Sequence, residues 1–252
     1  MSSEKSRAEN SKKSLQKADF TGADLKEADL SSGVLIEACL KDADLSKADL
    51  SEADISSASF EGARLHRTLL FRSRGRNANF SRAVLTQANL VEANLVSADF
   101  SHANLSESDM EGADLKNAQL KNADLSDTNM QDSDLSEANL RNCTLVRTNL
   151  SGCRLIQSVM LDVKGHLSNF SQAVLHNVLL GGAKLQICDF SACDAKELLA
   201  ENADFSGSHF TGSHLQASLL TGAILNFCDL TAASLEECKL GNASLFAATL
   251  HH

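Results

Sequence analysis

The chain has 252 residues, a formal net charge of −10, 43% hydrophobic and 22% charged residues, and no proline, tryptophan or tyrosine. That balance is too apolar for disorder, and 4% aromatics without proline argues against an ordinary enzyme fold. The acidic charge argues against direct nucleic-acid binding and against an anionic membrane surface, and no run of about 18 apolar residues offers a membrane span.

Residues 1–14 are polar and stand outside the pattern that follows. They are expected to form a tail or a short N-terminal cap, and they lack the apolar core of a signal peptide, so a cytoplasmic location is the default expectation.

From residue 15 the sequence repeats. Every fifth position from Leu15 to Leu250 is Leu, Phe, Ile or Met at 44 of 48 places, the exceptions being Gly75, Gly165, Ala195 and Ala200. Two residues earlier stands a small side chain, from Ala18, Ala23 and Ala28 to Ala248, and only Val163, Val178 and Leu198 are clearly larger. Between the two, Asp or Asn recurs, as in Ala18-Asp19-Phe20, Ala88-Asn89-Leu90 and Ala203-Asp204-Phe205. A period of five fits neither the ~3.6 of a helix nor the ~2 of a strand. It needs a backbone that turns a corner each time, sending one large and one small side chain inward. Four corners close a square coil of about 20 residues, and coils stacked at roughly 4.8 Å make a rod of about 50 Å.

This A-[DN]-[LF]-x-x pattern resembles the pentapeptide-repeat family over residues 15–250. The resemblance implies an all-β fold, a right-handed quadrilateral parallel β-helix of about 12 coils over residues 15–252. Phe20, Phe60, Phe80 and Phe100 differ by multiples of 20, as do Phe170, Phe190 and Phe210, so their rings are expected to stack as interior ladders. Two stretches weaken the motif and are expected to bulge or loop out: 161–167, with Gly165 at a large-residue position, and 194–202, with Ala195 and Ala200. At the C-terminal end Phe227 and Phe246 point outward and, with Leu219 and Ile224 on an open last coil, suggest an apolar patch for a partner or a second copy.

Reactive residues are absorbed by the repeat. Cys143, Cys153, Cys188, Cys193, Cys228 and Cys238 occupy the small inward position, and only Cys39 points outward. His209 and His214 flank one corner, a weak hint of metal binding. No phosphate loop, nucleophile elbow or metalloprotease motif is present, so no catalytic residue, metal or cofactor is expected.

The charges divide by face if each coil holds 20 residues. One face carries Asp29, Asp49, Glu52, Glu92, Asp109, Glu111, Asp132, Asp189 and Asp229 against Arg72 alone, a net −8. A basic cluster runs through Arg64, His66, Arg67, Arg72, Arg74, Arg76 and Arg82. Arg64, Arg72 and Arg74 each lie 20 residues after an acid (Asp44, Glu52, Asp54), and Glu92 follows Arg72 by 20, so cross-coil ion pairs are expected, with Arg67, Arg76 and Arg82 left over to grip phosphate or an acidic partner. Some members of the resembled family bind DNA gyrase or topoisomerase IV as rod-shaped mimics of duplex DNA and protect it from quinolones. The resemblance therefore implies two partner classes: a protein held by a non-catalytic scaffold, or a type II topoisomerase held by the acidic face. One charge per ~6 Å on that face against one per ~1.7 Å on duplex DNA favours the scaffold.

Overall fold

The computed structural model describes residues 3–251. From Leu15 onward the backbone is a right-handed four-sided β-helix, in which the residue before each inward Leu or Phe bridges in parallel to the residue 20 positions on, as in Asp24 to Asp44 and Asp44 to Arg64. The amide of each large inward residue donates to the next coil, Leu25 N–H to Asp44 C=O at 2.8 Å for example, and the amide two residues later does the same.

Each corner is a tight turn closed by a hydrogen bond from the small inward residue to the preceding large one, such as Ala18 N–H to Leu15 C=O at 3.0 Å. Its third residue takes positive φ at every fifth position from Lys17 to Ala247, at 39 non-glycine residues and eight glycines. That is the geometry of a type II turn, which normally wants Gly or Asn there. The motif's Asp or Asn supports the corner from the other side. Its Oδ1 accepts the amide two residues on, as Asp49 does from Ser51 at 2.8 Å and Asn79 from Ser81 at 2.9 Å. A short polar side chain that bonds its own backbone two residues ahead stabilises a turn, which is why the motif prefers Asp and Asn there.

The interior is a dry column of Leu and Phe lined by Ala. Phe60, Phe80 and Phe100 stack at 4.8 and 4.9 Å, and Phe170, Phe190 and Phe210 at 4.7 and 4.8 Å. Those spacings are the rise per coil. Ser, Thr and Cys are tolerated at the small inward position because each can donate to a carbonyl 23 residues earlier: Thr68 to Leu45 at 2.8 Å, Thr148 to Leu125 at 2.7 Å, Cys143 to Leu120 at 2.8 Å, and Ser168 to Leu145. At those positions the hydroxyl or thiol enters the core with its hydrogen bond made, whereas Ser73, Ser108, Ser158 and Ser213 bury a hydroxyl at the same position with no hydrogen-bond partner among the described residues.

Neither weak stretch loops out. Gly165 lies buried within β1 (Lys164–His166), which pairs in parallel with β2 (Lys184–Gln186), and Leu185 leans into the missing volume, its Cδ2 2.7 Å from where a Gly165 Cβ would stand. Ala195 and Ala200 are fully buried in an unbroken register. The backbone ladder, not the size of any one inward residue, sets the path.

At the N-terminal end α1 (Ser3–Asn10) and a short helical turn, Lys12–Ser14, lie against the first coil. An eight-residue helix is marginal alone. Ala8 is buried, the Arg7 guanidinium lies 5.2 Å from the Phe20 ring, Glu9 accepts the Asp29 amide at 3.1 Å, and Lys12 C=O accepts the Val34 amide at 2.6 Å. In later coils such amides are taken by the preceding coil, so the helical segment supplies acceptors that the first coil would otherwise lack. At the other end Leu235, Leu240 and Leu245 are half-buried and Leu250 is 53% exposed, and a cavity of about 390 Å³ opens between Leu230, Leu235 and Leu250. Among the described residues no helix is long and apolar enough to cross a membrane.

Candidate partner-binding surfaces

The nine acids of the charged face share one side of the rod, but the ladder breaks them into patches. Asp29 bridges to Asp49, Asp49 to Leu69, and Leu69 to Asn89, so an exposed leucine interrupts the carboxylates. Lys12 Nζ sits 2.7 Å from Asp29 Oδ2, and its hydrogen bond, reinforced by the Ser31 hydroxyl and amide, pulls the Asp29 carboxyl down to about 2. Glu92 accepts Arg72 Nε at 2.6 Å, which holds its carboxyl below the usual range. Asp109 accepts Asn129 Nδ2 at 3.0 Å, and the same amide reaches Glu111 at 3.4 Å. Asp132 accepts Gln131 Nε2 at 3.3 Å, and Glu52 stands at a corner with φ 59°. Two acidic patches result, Asp49 with Glu52 and Asp109 with Glu111 and Asp132, separated by Leu69 and an ion pair, while Asp189 and Asp229 stand singly further along, on either side of His209.

The basic cluster does not converge. Arg67, Arg72, Arg76 and Arg82 fall on four successive corners of one coil and so ring the rod. Arg74 pairs with Asp54 at 3.4 Å and Arg72 with Glu92 at 2.6 Å, both as the spacing predicts, but the other two expected pairs, Arg64 with Asp44 and Arg72 with Glu52, do not form. Asp44 is taken by Lys26 at 3.3 Å, leaving Arg64 without an ion pair among the described residues, and Arg72 takes Glu92 in place of Glu52. Arg67 is not left over either: its Nε donates to Gln87 at 2.7 Å, and Gln87 passes the bond on to Glu107 at 2.6 Å. Arg76 is exposed and makes no ion pair among the described residues. The stacked partner must also lie within reach of the turn it leaves, which sequence spacing of 20 does not encode.

Phe227 and Phe246 are 62% and 69% exposed and meet edge to face at 5.5 Å. Ile224 is exposed beside them, whereas Leu219 is half-buried. The structure adds two residues that sequence reasoning passed over, Leu167 and Ile187, exposed at the same corner as Phe227 in earlier coils. Reading the corner position in steps of 20 (147, 167, 187, 207, 227) would have found them.

Among the described residues the buried cysteines assemble no reactive centre. Cys143, Cys153 and Cys193 are pushed up to about 12, and Cys188 and Cys228 to about 11, by burial. Such thiols are inert core residues. Asp194 lies 2.8 Å from His176 and 4.0 Å from His214; burial pushes its carboxyl up, but His176 and Lys196 outweigh that and leave it below the usual range. Among the described residues no three His, Cys, Asp or Glu side chains could hold a metal, His209 and His214 included.

A family model described as pentapeptide repeats matches in eight copies, over residues 14–42, 28–67, 78–117, 118–157, 188–226 and 201–236. No curated protein matches the chain. Among solved structures, HetL, a pentapeptide repeat protein involved in heterocyst differentiation regulation from the cyanobacterium Nostoc sp. strain PCC 7120, is 28% identical, with 79% of this chain and 88% of that chain covered and a TM-score of 0.40. Trypsin-treated QnrB1, a plasmid-mediated fluoroquinolone resistance protein, is 15% identical over 80% of this chain and 86% of that one, with a TM-score of 0.35. Scores that low leave the fold argument on the coil geometry itself. The unbroken five-residue register, the four-cornered coil and the family match agree: this chain belongs to the pentapeptide-repeat family.

Proposed function

We propose that the protein is a non-catalytic interaction scaffold, a rod over residues 15–251 capped by residues 3–14, that works in the cytoplasm and holds a protein partner. The observation that supports this reading most is the pair Phe227 and Phe246, large aromatics exposed in water while the phenylalanines at inward positions are buried. Exposed clustered apolar surface marks contact sites. Replacing both with Ser leaves the core untouched, so the double variant should fold with an unchanged melting point and lose its partner. A variant that keeps every partner of the parent chain sinks the role of this surface. Sedimentation at rising protein concentration separates a second copy from a foreign partner.

The second reading, a DNA mimic that binds a type II topoisomerase, draws support from the excess of nine acids over one base on a single face. Salt bridges at Asp29 and Glu92 and the break at Leu69 weigh against it. Its test is gyrase supercoiling with and without a quinolone. Protection that disappears on replacing Asp49, Asp109 and Glu111 by their amides would favour the mimic; no effect at large excess would dismiss it for that enzyme.

A further inference from the structure

We propose that the corner running through Leu167, Ile187 and Phe227, together with Lys164 and Lys184 beside it, is the docking site for an acidic amphipathic helix of a protein partner, an inference that rests on the scaffold reading above.

The first support is conformational. Leu167, Ile187 and Phe227 occupy the positive-φ position of the turn, at 60°, 55° and 60°. L-residues are disfavoured there, bulky and β-branched ones most of all. They are also 51%, 47% and 62% exposed, so the folded rod gains little burial from them. At the same corner in the preceding coils stand Glu27, Lys47, Arg67, Gln87, Glu107, Asp127 and Arg147, which suit water. A position that is costly both to backbone and to hydration, and turns large and apolar in two consecutive coils and again at Phe227 beyond Gly207, is explained by something that covers it.

Spacing selects the occupant's shape. The coils rise by ~4.8 Å, a helix returns a side chain to the same face every ~5.4 Å, and an extended strand does so only every ~6.6 Å. A helix lying along the rod therefore stays nearly in step with the corner, whereas a strand drifts out within two coils. Leu167 to Phe227 is three coil rises, and Phe246 adds a fourth, so about 13 helical residues span the site.

Charge selects its chemistry. Lys164 and Lys184 are register partners in β1 and β2, stacked like charges that make no ion pair among the described residues. Asp204, next in the ladder, is taken up by Gln186 at 2.7 Å and by Ser206, and it feels the Lys184 charge beside it without closing an ion pair. A shallow depression of about 180 Å³ opens between Lys164, Gly165, His166, Lys184 and Gln186, large enough for an apolar side chain flanked by carboxylates. A second copy fits less well. Antiparallel pairing centred on Gly207 would set Asp204 against the same residue of the other copy and Asp189 against Asp229, like charges that repel.

The test is a random library of about 16-residue peptides displayed on phage and panned against the full chain. Enriched sequences should carry apolar residues at alternating spacings of three and four with Asp or Glu on one flank. They should bind a Leu167→Asn, Ile187→Asn double variant about tenfold more weakly or worse, and a Lys164→Glu, Lys184→Glu variant likewise. Asn tolerates positive φ, so the first variant should melt at or above the parent, which separates lost binding from lost folding. Peptides that survive both variants but are lost on Asp49→Asn with Glu111→Gln overturn this site and leave the scaffold reading standing. A library that yields nothing on any face overturns both.

Discussion

The corner from Glu27 to Arg147 and its continuation from Leu167 to Ala247 are built on the same backbone and present opposite surfaces. In the first stretch, side chains satisfy one another along the axis: Lys47 meets Glu27 at 3.5 Å, Arg67 donates to Gln87 and Gln87 to Glu107, and Arg147 meets Asp127 at 2.6 Å. In the second, Leu, Ile, Gly, Phe and Ala stand in their place. Beneath both, the phenylalanine ladders keep one spacing. A solenoid separates the two tasks: inward positions hold the coil, and outward ones can be rewritten coil by coil.

If the halves differ only at the surface, a core deletion should cost the same in each. Phe80→Ala and Phe190→Ala each remove the middle ring of a three-ring ladder and should each lose about 3–5 kcal/mol in urea unfolding. Phe190 also meets Phe205 edge to face at 5.6 Å, so it belongs at the upper end. A clearly cheaper Phe190→Ala would show that the apolar half is less well packed and break the comparison.

Thiol labelling sharpens it next. Up to Arg147 the chain holds Cys39, outward, and Cys143, inward; the other five cysteines lie beyond it, and Cys143, Cys153 and Cys193 are raised to about 12 from an ordinary 9.0. Burial that strong leaves very little thiolate even before access is counted. With an alkylating agent at pH 8, mass spectrometry should show Cys39 and half-buried Cys238 modified first and the three deep thiols last. Equal rates for Cys153 and Cys238 would mean that the second half opens as one unit rather than fraying from its end.

The sequence makes the interior legible because a strict period of five leaves one assignment of inward positions, and Phe ladders and buried cysteines follow from it. It overstates local breaks: Gly165, Ala195 and Ala200 look like interruptions, yet neighbouring side chains and the backbone ladder carry the coil through. It misleads on the basic cluster, where closeness along the chain becomes dispersal around four corners. Leu167 and Ile187 are hidden for the converse reason, since residues 20 apart become neighbours and nothing local marks them. The positive φ of each corner is equally silent, because Glu, Lys and Arg occupy it freely.

A smaller effect distinguishes the capped end. Asp29, held at about 2 against an ordinary 3.8, helps to fasten Lys12, whose carbonyl takes the Val34 amide. A carboxyl depressed in the folded state contributes stability that is present above the ordinary value and is lost as pH falls through the folded one. Amide-exchange protection at Val34 should therefore hold from pH 6 to about 4 and fall between about 4 and 2. Asp29→Asn should show weakened protection at Val34 already at pH 6. Protection that is unchanged in this variant would place the cap's hold in α1 packing alone.

The smallest effect lies at the boundary between the two stretches. Arg147 makes two contacts with Asp127, both at 2.6 Å, but both side chains are well exposed, and pairs of that kind contribute little and are screened by salt. Arg147→Ala should lower the melting point slightly in dilute buffer and not at all at 1 M salt, where the screening length is about 3 Å. Arg147→Leu carries the comparison further. It extends the exposed apolar run by one coil toward the N-terminus, against the Val146 edge of the depression at Lys164 and Lys184. Helical peptides selected on the parent chain should then bind more tightly if lengthened by one apolar turn, and equally well if not. Tighter binding of every peptide alike would mean that the corner acts as unspecific grease rather than as a register of coils.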